Sequence, residues 1–388
     1  MAVRRYHVHA DTFSLQVQEL ILDYSRCYTD APIYPDTAPM PSDLVTLHFK
    51  SNSSNDFKAD APSWSRKAIN YTYAPGVVVN TTQCTLNFSI PNDMDPPVLF
   101  YYRLTNFYQN HRRYAKSFDT AQLSGQAVDA STIQSSDCTP LTTETVNGTA
   151  KPYYPCGLAA NSLFNDTFYN PVLLNVPGGD VPNRTYFMTN NSNIAWASDR
   201  ELYGETKYSW DQVLVPPNWQ LRYPNGYTDD NHPDLVNDQL FQVWMRLAGL
   251  PTFSKLAQRN DTTIMEAGSY TLDIDHRTSS PWRFFAFNCT VTNIWLTDFN
   301  VTEYGGTKSI IISTRTVMGG KNPFLGIAYV VVGGICIVLG ALFTVTHLIR
   351  PRKLGDHTYL TWNNEQPSTA TTSGREGGGL GEGRSDLA

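Results

Sequence analysis

The residue types able to do chemistry in this 388-residue chain are dispersed rather than gathered. Two carboxylates stand at Asp273-Ile274-Asp275, where strand spacing puts both on one side of an extended segment. A glycosidase needs its carboxylates opposed across a cleft, so this pair reads instead as a solvent-facing strand edge. Asp199-Arg200-Glu201 reads as a solvated turn. The eight histidines are scattered, and no G-x-S-x-G, H-E-x-x-H, P-loop or G-x-G-x-x-G occurs. The sequence therefore nominates no catalytic residue, no cofactor-binding residue and no metal ligand.

Cross-linking and modification chemistry is better represented. Eleven N-x-[ST] sequons stand at Asn52, Asn70, Asn80, Asn87, Asn147, Asn165, Asn183, Asn190, Asn260, Asn288 and Asn300. All precede one apolar segment, Phe324 to Ile349, which holds no Asp, Glu, Lys or Arg. Five cysteines also precede it: Cys27, Cys84, Cys138, Cys156 and Cys289. They form no C-x-x-C pair and no Cys/His spacing suited to zinc, which favours structural disulfides over metal. Five is odd, so one is unpaired or does not belong. Cys336 lies inside the apolar segment and reads as a small membrane-buried residue.

The run Phe107-Tyr108-Gln109-Asn110-His111-Arg112-Arg113-Tyr114 reads as a packed aromatic strand end, its guanidiniums stacked on or bonded to neighbours. Its functional alternative is a surface on which Arg112 and Arg113 engage a partner's acidic loop. With Lys116 it is too short a basic run for a phosphate-binding face, and a net charge of −6 gives no support to nucleic acid as a partner.

The elements that must carry these residues follow from pattern. Low charge (16%), high aromatic content (12%) and 22 tyrosines suit a β-rich domain better than a helical bundle. Alternation and aromatic content predict strands over 15–24, 85–90, 98–104, 240–246, 270–274 and 309–317, with a short helix from Pro251 through Ala257. Residues 28–80 read as a long surface excursion, and 129–155, 178–193 and 216–233 as loop or turn. The apolar segment is long enough to cross a hydrocarbon core of about 30 Å as a helix, with Asn322 as cap and Pro323 at its first position. Gly326, Gly333 and Gly340 recur every seven residues along it, a stripe on which another helix can approach closely. Basic residues flank the span evenly, so the sequons set its orientation. Residues 14–322 are then a lumenal or extracellular glycosylated domain, 323–349 the transmembrane helix, and 350–388 a cytosolic juxtamembrane segment with a Gly/Ser/Thr-rich disordered tail. Met1 to Phe13 has no apolar h-region and is no signal peptide.

Several long segments resemble one family: YYRLTNFYQNHRRYAKSFDTAQLSG (101–125), PCGLAANSLFNDTF (155–168), IAWASDRE (194–201), VPPNW (215–219), VWMRLAGLPTFSKL (243–256) and the stretch from Gly305 to Gly334. They closely resemble the cell-division-control-protein-50, or ligand-effect-modulator, family of lipid-flippase β subunits, over about Val17 to Trp362. The polar spacers look most like fungal members. The resemblance implies an antiparallel β-sandwich ectodomain with short helices and long loops, capping the lumenal loops of a type IV P-type ATPase. It implies a non-catalytic subunit, in a hetero-dimer among membrane lipids, that accompanies the pump out of the endoplasmic reticulum and supports phospholipid transport to the cytosolic leaflet. Golgi, endosomes and plasma membrane are the further destinations it suggests. Carried over position by position, Cys138 pairs with Cys156 and Cys27 with Cys84, while Asn87 and Asn165 fall where members carry glycans. Closing the 17-residue loop between Cys138 and Cys156 would stabilise by about 3 kcal/mol on chain-entropy reasoning.

Two departures stand out. Members have a first membrane span where this chain has MAVRRYHVHADTF, which reads as a mispredicted first exon or as a form without its own insertion signal. An aromatic-rich stretch over 276–298, containing Cys289, interrupts the run from Leu272 towards Gly305 and reads as a retained intron, or else as a genuine surface insertion. A single-pass glycoprotein receptor or adhesion module is the alternative function, and a membrane-anchored carbohydrate-active enzyme using Asp273 or Asp275 a distant third.

Overall fold

A computed structural model describes residues 17–50, 60–174, 182–276, 301–315 and 323–350. The atypical N-terminus, nearly all of the 276–298 stretch and the tail beyond 350 lie outside the described residues. The chain divides into two units, one reaching Gly326 and one beginning at Ile327.

The first unit is mainly antiparallel β. Its described strands are β1 (Glu19–Asp23), β2 (Ala38–Pro39), β3 (Val45–His48), β4 (Ser63–Ala74), β5 (Val77–Ile90), β6 (Val98–Leu104), β7 (Thr143–Val146), β8 (Thr149–Pro152), β9 (Thr167–Phe168), β10 (Val172–Leu174), β11 (Asn183–Thr185), β12 (Phe253–Asn260), β13 (Gly268–His276) and β14 (Lys308–Thr314). One sheet runs β12-β6-β14-β1-β3. The other runs β11-β10-β13-β5-β4-β2, with β9 also on β13, and β7-β8 form a separate hairpin. That hairpin turns on Asn147-Gly148, both at positive φ (51° and 80°), the backbone a two-residue type I′ turn demands.

Period-two patterning explains why the two sheets face each other. Val98, Phe100, Tyr102 and Leu104 of β6 and Ile310 and Ile312 of β14 share one buried cluster with Leu86, Phe88 and Ile90 of β5 and Tyr270, Leu272 and Ile274 of β13. Phe168 of β9 closes the cleft between the layers, its ring 5.1 Å from Phe100.

Three local expectations are corrected. Residues 239–245 form a helix (Gln239–Met245), not a strand. Asp238 caps it by accepting from the Phe241 amide at 3.0 Å, and Phe241, Trp244 and Met245 share its buried face at helical spacing. Trp244 is fully buried and its indole N–H donates to the Ala159 carbonyl at 2.8 Å. Residues 253–260, read in part as helix, are instead β12, because β6 offers them an antiparallel ladder from Leu104 to Val98, interrupted by one register shift between Leu256 and Gln258. The 28–80 excursion contains all of β4, paired with β5 from Ser63↔Asn87 to Ala74↔Val77. Its outward Asn70 and Thr72 disguised the strand as surface.

Between Cys156 and a short helix (Leu158–Asn161), Gly157 sits at φ +94°, where a Cβ would lie 2.1 Å from the Ser117 carbonyl oxygen. That close approach fits only glycine. A helix, Pro323–Ile349, runs into the second unit, and its stretch Ile327–Ile349 is long and apolar enough to cross a membrane.

Candidate functional site

Two disulfides are formed among the described residues. Cys27 lies in a four-residue helix just after β1, and it bonds to Cys84 in the middle of β5, with Cα atoms 6.1 Å apart. This bond fastens one sheet to the other. Cys138 and Cys156 bond with Cα atoms 5.7 Å apart and pack with Ile133 and Tyr153 in a small satellite core. Cys336 is a free, exposed thiol on the apolar helix, and Cys289 lies outside the described residues.

The sequons occupy different settings. Asn147, Asn183 and Asn190 are exposed, the first at the tip of the β7–β8 turn. Asn70 and Asn80 oppose each other across β4–β5, and the Asn80 amide donates to Asn70 Oδ1 at 3.3 Å. Asn87 and Asn165 are half-buried. Asn260 is committed to a turn: its Oδ1 accepts from the Thr262 and Thr263 amides (3.0 and 2.9 Å) and its Nδ2 donates to the Phe187 carbonyl at 2.8 Å. Asn52, Asn288 and Asn300 lie outside the described residues.

The aromatic-basic run is not a strand end. Phe107 is buried against Trp244, but Arg112 and Arg113 open a five-residue helix (Arg112–Lys116) and are exposed. Among the described residues neither forms an ion pair. Their guanidiniums therefore neither stack nor pair as the packed reading required, because the helix turns them away from the aromatic side.

Asp273 and Asp275 correct a second expectation. β13 is an interior strand, and Asp275 is fully buried. Its Oδ1 accepts from Gln83 Nε2 at 2.6 Å and its Oδ2 from the Tyr169 hydroxyl at 2.7 Å, while Asp273 Oδ1 accepts from Thr85 Oγ1 at 2.6 Å. These are structural carboxylates committed to cross-strand bonds. Asp199 likewise lies in a short helix (Ala197–Arg200), not a turn, and accepts a two-pronged contact from Arg246 at 3.0 and 2.9 Å.

A buried ionic cluster went unread in the sequence. Asp166 Oδ2 accepts from Lys308 Nζ at 2.9 Å and from the Tyr24 hydroxyl at 3.0 Å. Its Oδ1 lies 3.5 Å from His276 Nδ1, and Lys308 Nζ is 3.3 Å from that same nitrogen. Tyr28 stacks on the His276 ring at 3.8 Å. The cluster joins β14 (Lys308) to the end of β13 (His276) through Asp166, the middle residue of the Asn165 sequon. That sequon position was the only available signal, and it pointed to surface. Burial pushes the Asp166 carboxyl up, but the Lys308 ammonium and His276 outweigh it and hold the group well below the usual carboxylate range. Burial, then the Lys308 ammonium, pull His276 below its ordinary value.

The lowered histidine sets a pH dependence. As pH falls through about 6.5, an unfolded chain takes up a proton on His276 that the folded chain refuses, so stability falls with acidification. The unfolding temperature is expected to drop between pH 7.5 and 5.5, and His276→Asn, which keeps an acceptor near Lys308, should shrink that drop. An identical drop in both proteins would show that His276 is not the cause.

Disulfide-stapled antiparallel β-sheets in one unit and a helix long and apolar enough to cross a membrane in the other define a class of β-rich proteins with a candidate membrane anchor. Residues 11–353 match the LEM3 (ligand-effect modulator 3) family / CDC50 family, and the chain belongs to it. It is 44% identical over 358 residues to the phospholipid-transporting ATPase accessory subunit CDC50 of Chaetomium thermophilum, covering 91% of this chain and 80% of that one. It is 35% identical over 351 residues to the phospholipid-transporting ATPase accessory subunit CRF1 of Saccharomyces cerevisiae, covering 90% and 78%. Against cell cycle control protein 50B of Homo sapiens the identity is 37% over 276 residues, 68% of this chain and 70% of that protein.

Proposed function

We propose that this chain is the non-catalytic β subunit of a phospholipid-transporting type IV P-type ATPase. The observation that carries the reading is the 44% identity to a named accessory subunit across 91% of the chain. The subunit binds its pump as a hetero-dimer, accompanies it out of the endoplasmic reticulum and supports lipid transport to the cytosolic leaflet in Golgi, endosomal or plasma membranes. Residues 14–322 face the lumen or cell exterior, 323–349 span the bilayer and 350–388 lie in the cytosol. The relatives' description as accessory subunits supports a non-catalytic role.

Two surfaces are assigned to the pump. Arg112 and Arg113, exposed and unpaired among the described residues, meet an acidic loop. Gly326, Gly333 and Gly340 let a pump helix or another span pack closely against the membrane helix, where small residues permit backbone approach. Gly333→Leu and Gly340→Leu are expected to reduce recovery of the ATPase with the tagged subunit several-fold while leaving its glycosylation pattern intact. Undiminished co-purification in both variants would remove the glycine stripe from the interface.

A further inference from the structure

A groove of about 810 Å³ lies over the outer face of β6 and β12, between the segments 193–200 and 243–248. Its floor includes Leu99 and Tyr101, which alternate along β6 with the core residues Phe100 and Tyr102. The lining carries five cationic side chains against two carboxylates, in a chain whose net charge is −6. Positive charge is thus concentrated where the molecule as a whole repels anions.

Three of those cations are occupied. Arg246 donates through Nη1 to both carboxylate oxygens of Asp199, and its guanidinium lies 4.2 Å over the ring of Trp196. Arg259 binds Asp261 through Nε and Nη2 (2.9 and 2.6 Å) and the Asn193 carbonyl through Nη1 (2.6 Å). Lys255 is buried and donates to the Val243 carbonyl at 3.1 Å and to the Arg246 carbonyl, so it ties down the end of the helix Gln239–Met245.

Arg200 and Arg315 are left. Both are exposed, and neither has a carboxylate partner among the described residues. Burial pushes the Tyr101 phenol up, while the nearby Arg315 and then Arg259 pull it the other way less strongly. Trp196 is 65% exposed and offers an indole to the groove. Guanidinium forks and a phenolic O–H over an apolar floor suit a tetrahedral oxyanion with a less polar appendage. The volume falls in the range of small-ligand sites, roughly 300–1,000 Å³, and favours a small molecule over an extended peptide.

We propose that this groove binds a phosphate-bearing small molecule. Arg315, Tyr101 and Arg200 take the phosphate oxygens, and Leu99 and Trp196 carry the remainder of the ligand. The phosphate is either a free phosphoester or the headgroup of a lipid. The inference is independent of the accessory-subunit reading, since the site lies within this chain.

Calorimetric titration of the full chain in a neutral detergent, with no ATPase present, tests it. The probes are glycerol 3-phosphate and dihexanoyl phosphatidic acid, which share one phosphate group, at matched ionic strength. Binding of both alike identifies a free phosphoester site, and binding of the lipid alone a headgroup site. Arg315→Gln and Arg200→Gln should each weaken binding about tenfold, the scale of one charge-assisted hydrogen bond. Arg315→Lys should recover only part, and Arg184→Gln, on β11 of the other sheet, should change nothing. Unfolding temperatures of these exposed-site variants check that folding is intact. The proposal is overturned if neither probe binds, if hexaglutamate binds where they do not, or if the Arg184 variant weakens binding as much as the groove variants.

Discussion

Replacing Cys27 and Cys84 together by alanine is expected to destabilise the β-rich unit by about 4 kcal/mol, the loop-closure entropy for a sequence separation of 57. The consequence goes beyond chain entropy. Cys27 stands beyond the end of β1 in one sheet, and Cys84 sits in the middle of β5 in the other, paired with Ile274. Both half-cystines are fully buried, so the bond also fixes the register of the layers against each other. The loss should appear as a lower denaturation midpoint in urea under oxidising conditions, and neither single variant should be milder than the double. The Cys138–Cys156 pair closes a shorter loop and holds a satellite core, so its removal should cost about 3 kcal/mol. A loss below about 1 kcal/mol for the Cys27/Cys84 pair would mean that the sheets are already held by packing alone.

Lys308→Met should be nearly as damaging. It leaves the Asp166 carboxylate fully buried with its ammonium partner gone, a change that costs about 3–5 kcal/mol in buried pairs. The Tyr24 hydroxyl and His276 remain beside Asp166 but supply no fixed positive charge. Adding Asp166→Leu to Lys308→Met should restore a good part of the loss, because two apolar groups in place of a pair leave nothing uncompensated. A double-mutant cycle read by urea denaturation gives the coupling directly. Additive losses would show that the two residues act independently.

The sequence made some of this legible and hid the rest for physical reasons. Strands β6 and β14 could be read because they are short runs of β-branched, aliphatic and aromatic residues, and such runs are buried almost throughout in the structure. The membrane-spanning helix was equally plain, since only length and absence of charge are needed. Leu240–Arg246 reads as strand because a short, mostly apolar run satisfies strand and helix templates alike, and the deciding residue is the Asp238 cap just before it. β12 was missed because its ladder is supplied by β6, some 150 residues earlier in the chain. Asp275 and Asp166 were the hardest cases. Each is a charged residue in a polar context whose burial depends on partners from distant strands, and local pattern carries no trace of them. The cysteine pairs came from resemblance; spacing alone left every pairing open.

The measurement closest to the central claim is affinity purification of the tagged chain from its native membranes in a mild, neutral detergent, with quantitation of what accompanies it. An accessory subunit should bring down a phospholipid-transporting P-type ATPase in roughly one-to-one amount. Recovery of the chain by itself, at full yield and glycosylated, would contradict that role.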